Sequence, residues 1–358
     1  MKQKLHARRH FAPAEVPDFD GQRAAMCDAK EMHQDVGIGE KAWPSGAYQD
    51  TRPGEMVRGI GLKSAKALFK KPLVVLARRL HHLKMTQVSA YGGILVAESA
   101  AKPSPGATPN VLIVTPLKDA RHHLHRYVEN LEAIEYPRQY LSIGLLESDS
   151  RDDTWAALEG LLPRLQARCR RVTVIKRDFN FRLPPGVPRW TTAFQRVRRS
   201  VLARSRNQLL FRSLQDEDWV LWLDVDVVSY PKGLIRQLLA FELDILHPHC
   251  VQTPGGPTFD RNGWADHGRK LLEDFRGANE PVRLDAVGAT ILLVKADCHR
   301  DGLIFPPFPY GRPSELIRPA NGFCGAGEIE SEGLGVLAQD MGYQCWGLPD
   351  FEVLHAPD

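Results

Sequence analysis

Cysteine is sparse and scattered: Cys27, Cys169, Cys250, Cys298, Cys324 and Cys345 form no C-x-x-C pair. That spacing excludes the usual thiolate zinc site and shows no disulfide framework, so the thiols read as buried and free in a reducing compartment. Long hydrophobic runs are also missing. Nowhere do about 18 uncharged apolar residues follow one another, so no helix here is expected to span a bilayer. The opening residues, MKQKLHARRHFAPAEVPDFDG, lack the apolar core of a secretory signal, and their acidic residues argue against a transit peptide. The expected location is cytoplasmic, with peripheral attachment at the inner face of a membrane as its variant. A large excess of one charge is absent too: the net charge is +4, short of a nucleic-acid-binding profile. What remains is ordinary globular composition, 43% hydrophobic and 25% charged over 358 residues, enough for one large domain and an appendage.

The basic excess is confined to that appendage. Residues 1–105 hold 17 Lys/Arg against 10 Asp/Glu, whereas the rest of the chain is slightly acidic. Between 56 and 97 there is no acidic residue, and Leu62, Ala65, Leu68 and Phe69 recur at helical spacing beside lysines. Two readings fit: basic amphipathic helices on an anionic membrane surface through residues 57–84, or a helical arm packed on the catalytic domain. SAAKPSPGAT (99–108) reads as a linker. The expected division is a basic helical N-terminal extension with linker, 1–108, and a catalytic domain, 109–358.

After the linker, apolar β-branched runs alternate with helical periodicity. Val111–Thr115, Leu141–Leu146, Val172–Ile175 and Trp219–Leu223 read as buried strands. Helices are expected over about 119–134, 155–168 and 192–213, with a Pro/Gly-rich loop at 178–192 of a length typical of active-site lids. The pattern predicts an α/β fold with a mostly parallel central sheet flanked by helices. In such sheets ligands bind at the carboxyl ends of the strands, which places Pro116–Asp119, Glu147–Asp153 and the residues after Leu223 on one rim.

Leu223 runs directly into Asp224-Val225-Asp226. Two carboxylates at the end of a buried strand are costly unless a positive group joins them, and a divalent cation carrying a diphosphate is the natural partner. The string Asp224-Val225-Asp226-Val227-Val228 also fits the D-x-D-x-[TV] motif of aspartate-nucleophile phosphatases, which usually sits on a first strand. Further on, Val287–Val294 reads as a strand led by small residues, and Glu328–Gly333 places carboxylates just before a helix over Leu334–Met341. Phe351–His355 reads as a last strand. His122, His123 and His125 occupy adjacent helical positions that point different ways, so they are expected near the rim and not around one ion. Arg196, Arg198 and Arg199 read as decoration of an exposed helix face, with binding of an anionic acceptor as the alternative.

Seven strings run in one order over the second part: VLIVTPLKDA (111–120), LLESDSRDDT (145–154), ARSRNQLL (203–210), WVLWLDVDVV (219–228), LDAVGATILLVKADCHRDGLIFPPFP (284–309), EIESEGLGVLA (328–338) and GLPDFEVLHAPD (347–358). Together they resemble the fungal mannan-polymerase mannosyltransferases of glycosyltransferase family 62. The resemblance implies a GT-A type, Rossmann-like fold and a retaining, metal-dependent transfer of a sugar, first of all mannose from GDP-mannose, onto a glycan or lipid-linked acceptor. It implies that Asp224, Asp226 and His355 hold Mn²⁺ (or Mg²⁺). It further implies that Pro116, Leu117, Ser148, Asp149, Arg206 and Asn207 form the nucleotide pocket beside Asp224. Asp285, Glu330 and Glu332 then lie near the donor sugar and acceptor. A catalytically silent homologue that binds nucleotide or glycan stays open beside the enzyme and phosphatase readings.

Overall fold

The computed structural model describes residues 89–91, 94–96 and 108–357, apart from 189–190 and 313–326. The basic segment 57–84 and most of the linker lie outside the described residues. A short hairpin, β1 (Ser89–Tyr91) and β2 (Ile94–Val96), precedes the main body.

The first half alternates as its periodicity predicts: β3 (Val111–Leu117), α1 (Arg121–Ala133), β4 (Leu141–Glu147), α2 (Thr154–Arg168), β5 (Arg171–Lys176), α3 (Thr192–Ser213) and β6 (Trp219–Leu223). The second half adds β7 (Val227–Ser229), α4 (Leu234–Leu239), β8 (Ile245–Val251), the small pair β9 (Trp264–Ala265) and β10 (Lys270–Leu271), β11 (Val282–Leu284), β12 (Ile291–Lys295), α5 (Ala296–Arg300), α6 (Glu330–Asp340) and β13 (Cys345–His355). The nine-stranded sheet runs β11-β13-β8-β12-β6-β3-β4-β5, with β7 paired on β13. Strands β5, β4, β3 and β6 are parallel, and β8 and β13 are parallel to each other. β12 joins the two groups by running antiparallel to both β6 and β8. Six strands therefore point one way and three the other, the mostly parallel sheet expected.

Both faces of this sheet are covered, which is why its strands read as unbroken apolar runs. Alternate residues feed opposite cores. Val111, Ile113, Leu221, Leu223, Ile291 and Leu293 pack with the buried faces of α1, α2 and α4. Leu112, Val114, Val220, Trp222, Leu292 and Val294 pack with α3, α5 and α6.

Two boundaries differ from expectation. Residues 287–290 are not strand: β12 begins at Ile291, because the buried Asp260 carboxylate takes the Thr290 N–H at 3.0 Å and holds the preceding backbone against itself. A Cβ on Gly288 would lie 2.0 Å from Asp260 Oδ2, so only glycine allows that approach. Helix α6 starts earlier, at Glu330, so Glu330 and Glu332 form its first turn.

Candidate active site

The carboxyl ends of β3, β4 and β6 form one rim, shaped by aspartates in the left-handed region that short polar side chains tolerate. Asp119 and Asp149, at φ 49° and 56°, come just after β3 and β4. The two turns are tied reciprocally, since Asp119 N–H donates to Ser150 Oγ (2.9 Å) and Arg151 N–H to Asp119 Oδ1 (2.7 Å). Asp149 is buried and accepts the N–H groups of Phe179 and Asn180 at 2.9 and 3.0 Å, pinning the start of the long loop after β5.

Two cavities open on this rim. One, about 400 Å³, is lined by Pro116, Leu117 and Ser148 together with Lys118, Arg151, Phe181, Arg182 and Arg198. Four cations against the single carboxylate of Asp119 give this cavity a net positive lining. The other, about 280 Å³, is lined by Asp226, His355, His122 and His123. Lys118 and Asp119 belong to both walls.

His355 is delivered by the end of β13, which pairs with β7 beside the acidic pair. Its ring stacks on Phe259 with centroids 3.8 Å apart, and Nδ1–H donates to the Ala356 carbonyl at 2.6 Å. That bond fixes the ring and aims Nε2 at Asp226 Oδ2, 3.1 Å away. Burial opposes a charged imidazole here. The Asp226 hydrogen bond and charge outweigh it, so the His355 pKa is raised. Asp226 is itself anchored, its carbonyl accepting the Ala356 N–H at 2.8 Å.

Asp224 has a different partner. Arg206 Nη2 lies 3.0 Å from its Oδ1, and burial pushes the Asp224 carboxyl up to about 7 in spite of that guanidinium. Arg206 also bonds the Ala289 carbonyl at 3.2 Å and places Nε 2.9 Å from Glu330 Oε1. Beside it, Arg199 pairs with Glu332 at 2.6 Å, and Trp264 Nε1–H donates to the same carboxylate at 3.1 Å. Glu330 sits at φ 61°, a strained backbone for a non-glycine residue, held by Arg206 and by Ser331 Oγ–H at 2.8 Å.

The structure thus brings Pro116, Leu117 and Ser148 together in the larger cavity and Asp226 with His355 in the smaller. Partly exposed Asp224 joins buried Arg206 and Glu330 in a charge network, with the buried Arg199–Glu332 pair beside it. Asn207 exchanges two hydrogen bonds with the Phe305 backbone, 2.8 and 2.9 Å, and lines neither cavity. Asp285 is half-buried and accepts the His267 N–H at 2.8 Å. Arg199, expected on an exposed face, is buried. His122 and His123 do reach the rim, and they share a cavity with Asp226. Asp260 gave no sequence signal, because its partners Gly288 and Thr290 are about thirty positions away.

The donor set fits a hard or borderline divalent ion. Nδ1–H donation to the Ala356 carbonyl leaves Nε2 as the His355 nitrogen that would bind such an ion, beside the Asp226 carboxylate. Among the described residues no three His, Cys, Asp or Glu side chains form a complete cage, so substrate oxygens would fill the remaining positions.

Fold and site together define a mixed α/β protein whose rim joins a basic cavity to a carboxylate–imidazole pair. The chain belongs to the Anp1 family, whose model matches residues 96–275 and 268–309. It is 30% identical over 285 residues to the mannan polymerase complex subunit mnn9 of Schizosaccharomyces pombe, covering 68% of this chain and 79% of that one. It is 29% identical to the mannan polymerase complex subunit MNN9 of Candida albicans, over 72% of this chain and 77% of that one. The resemblance carried by the seven strings is borne out. Among solved structures, a Pyrobaculum calidifontis mannosyltransferase in complex with GDP-Man and Mn²⁺ aligns with a TM-score of 0.43 at 15% identity, over 80% of this chain and 64% of that one. Among the described residues no helix is long and apolar enough to cross a membrane.

Proposed function

We propose that this chain is a metal-dependent glycosyltransferase of GT-A type, transferring mannose from GDP-mannose with retention onto a glycan or lipid-linked acceptor. One observation carries the reading: the Asp226–His355 pair lines a cavity that shares its Lys118–Asp119 wall with a basic cavity on the carboxyl rim of the sheet. The naming of its relatives as mannan polymerase subunits supports the sugar and the polymeric product.

In this reading the nucleoside occupies the larger cavity against Pro116, Leu117 and Ser148, and the diphosphate extends toward Asp226 and His355. Asp226 and His355 would hold Mn²⁺ or Mg²⁺, which supplies Lewis-acid stabilisation of the departing diphosphate. Asp224, the third expected ligand, is partly exposed and has its carboxylate engaged by Arg206, which also reaches Glu330. That engagement disfavours the phosphatase alternative, where the Asp224 carboxylate would have to attack as a nucleophile. Glu330 and Glu332 are buried and paired with Arg206 and Arg199, so in this reading they support the donor-sugar side through those arginines, with half-buried Asp285 on the same side.

The deciding experiment is donor turnover by the purified chain with GDP-mannose and Mn²⁺, against an aryl phosphate as control. Release of GDP that requires metal supports the transferase; phosphate release from the control overturns it. Nucleotide binding without turnover would favour the silent homologue. The relatives are named as complex subunits, and on that ground alone we propose a protein partner for this chain as well. Cytoplasmic location and contact with an anionic membrane remain part of the proposal.

A further inference from the structure

Lys118 leaves the end of β3 at the one stretch of wall that the two cavities share. The other cations of the larger cavity, Arg151, Arg182 and Arg198, line that cavity alone, and the Asp226–His355 pair lines only the smaller one. A ligand with its base in the first lobe and its metal-bound oxygens in the second must pass the Lys118 ammonium. Nζ–H donates to the Phe181 carbonyl at 2.6 Å and lies 5.6 Å from the Phe181 ring centroid. The ammonium is thus tied to the loop after β5, whose Phe181 also lines the larger cavity. Partial burial lowers its pKa even though Asp149 and Asp119 act to raise it, and Arg182 and Arg198 add to the lowering. A crowd of like charges of this kind gains when an anion arrives.

We infer that Lys118 grips the diphosphate between the two lobes and makes the site select nucleoside diphosphates over monophosphates and nucleosides. The inference rests on the nucleotide reading above and adds a positioning residue and a selection rule to it. Arginine keeps the charge; glutamine keeps a donor for the Phe181 carbonyl and loses the charge. The two substitutions therefore separate an electrostatic grip from a loop tether.

The test is calorimetric titration of the full chain, in buffer with Mg²⁺, with GDP, GMP and guanosine. Lys118→Gln is expected to weaken GDP at least tenfold, GMP less than threefold and guanosine not at all, while Lys118→Arg keeps GDP within threefold. An equal loss for all three ligands, or unchanged GDP affinity in Lys118→Gln, overturns the inference and leaves the nucleotide reading standing. If the unaltered chain binds none of the three, the nucleotide reading fails and the inference falls with it.

Discussion

Arg206 lays its Nη2 across the Asp224 carboxylate, 3.0 Å from Oδ1 and 3.3 Å from Oδ2. The same guanidinium reaches Glu330 through Nε at 2.9 Å. Removing it leaves two carboxylates facing each other in a poorly solvated interior. Arg206→Ala should therefore lower unfolding free energy by about 3–5 kcal/mol, read by urea titration. Arg206→Lys should recover only part of the loss, since an ammonium cannot span both partners. A urea midpoint unchanged in Arg206→Ala would contradict this account of the network.

Asp226→Asn removes half of the proposed ligand pair at a partly exposed position. Metal-dependent transfer should fall at least ~100-fold, with the urea midpoint close to that of the unaltered chain. In the unaltered chain with GDP bound, Mn²⁺ at about 100 times its Kd should add about 2.7 kcal/mol of apparent stability, which the variant should lose. A variant that keeps its Mn²⁺-dependent thermal shift would remove Asp226 from the metal site.

Far from the rim, His299 is buried and neutral, accepting Trp222 Nε1–H at Nε2 (3.3 Å) and donating Nδ1–H to the Leu303 carbonyl (2.7 Å). Burial brings its pKa down to about 4 from an ordinary value of 6.5. Between those values the unfolded chain binds the proton and the folded one does not, so stability is full above pH 6.5 and falls as pH drops toward 4. This residue alone should account for about 3 kcal/mol of acid sensitivity. His299→Gln, which can keep an acceptor for Trp222, should flatten the slope across that window. A parallel slope in the two proteins would refute the assignment.

Gly288 and Gly160 give a matched pair. Alanine at 288 drives a methyl to 2.0 Å from Asp260 Oδ2 and should cost about 1–3 kcal/mol with loss of donor turnover. Alanine at 160, on the exposed face of α2 with nothing within 4 Å, should stabilise by up to about 1 kcal/mol. Reversal of the two signs in thermal unfolding would show that the Asp260 contact is dispensable.

How far each part was legible in the sequence depends on how that part is stabilised. β3, β4 and β6 bury both faces, so they appear as apolar runs, and the helices between them carry a plain three-four period. β8, Ile245–Val251, contains a proline and two histidines, and its assignment depends on backbone and side-chain partners elsewhere: His249 bonds the Pro349 carbonyl at 2.9 Å, one hundred positions away. Arg199 and Arg206 have the same character. On a helix, arginine reads as solvent-facing; Arg199 is drawn inward by Glu332 on α6, and Arg206 by Glu330 on α6 together with Asp224 at the end of β6. Asp224-Val225-Asp226 was visible because a strand immediately precedes it. That the two aspartates face different partners, one a guanidinium and one an imidazole, required the fold.

β12 runs against both neighbours, so it is the entrance to this strand, residues 285–290, that meets the rim. The segment touching Asp224 and Arg206 thus hangs outside the hydrogen-bonded ladder. Because Ala286, Val287 and Ala289 are buried and Gly288 lies against Asp260, packing and side-chain hydrogen bonds fix this entrance, and a change there would be felt first at Asp224 and Arg206, whose backbone partners are Thr290 and Ala289.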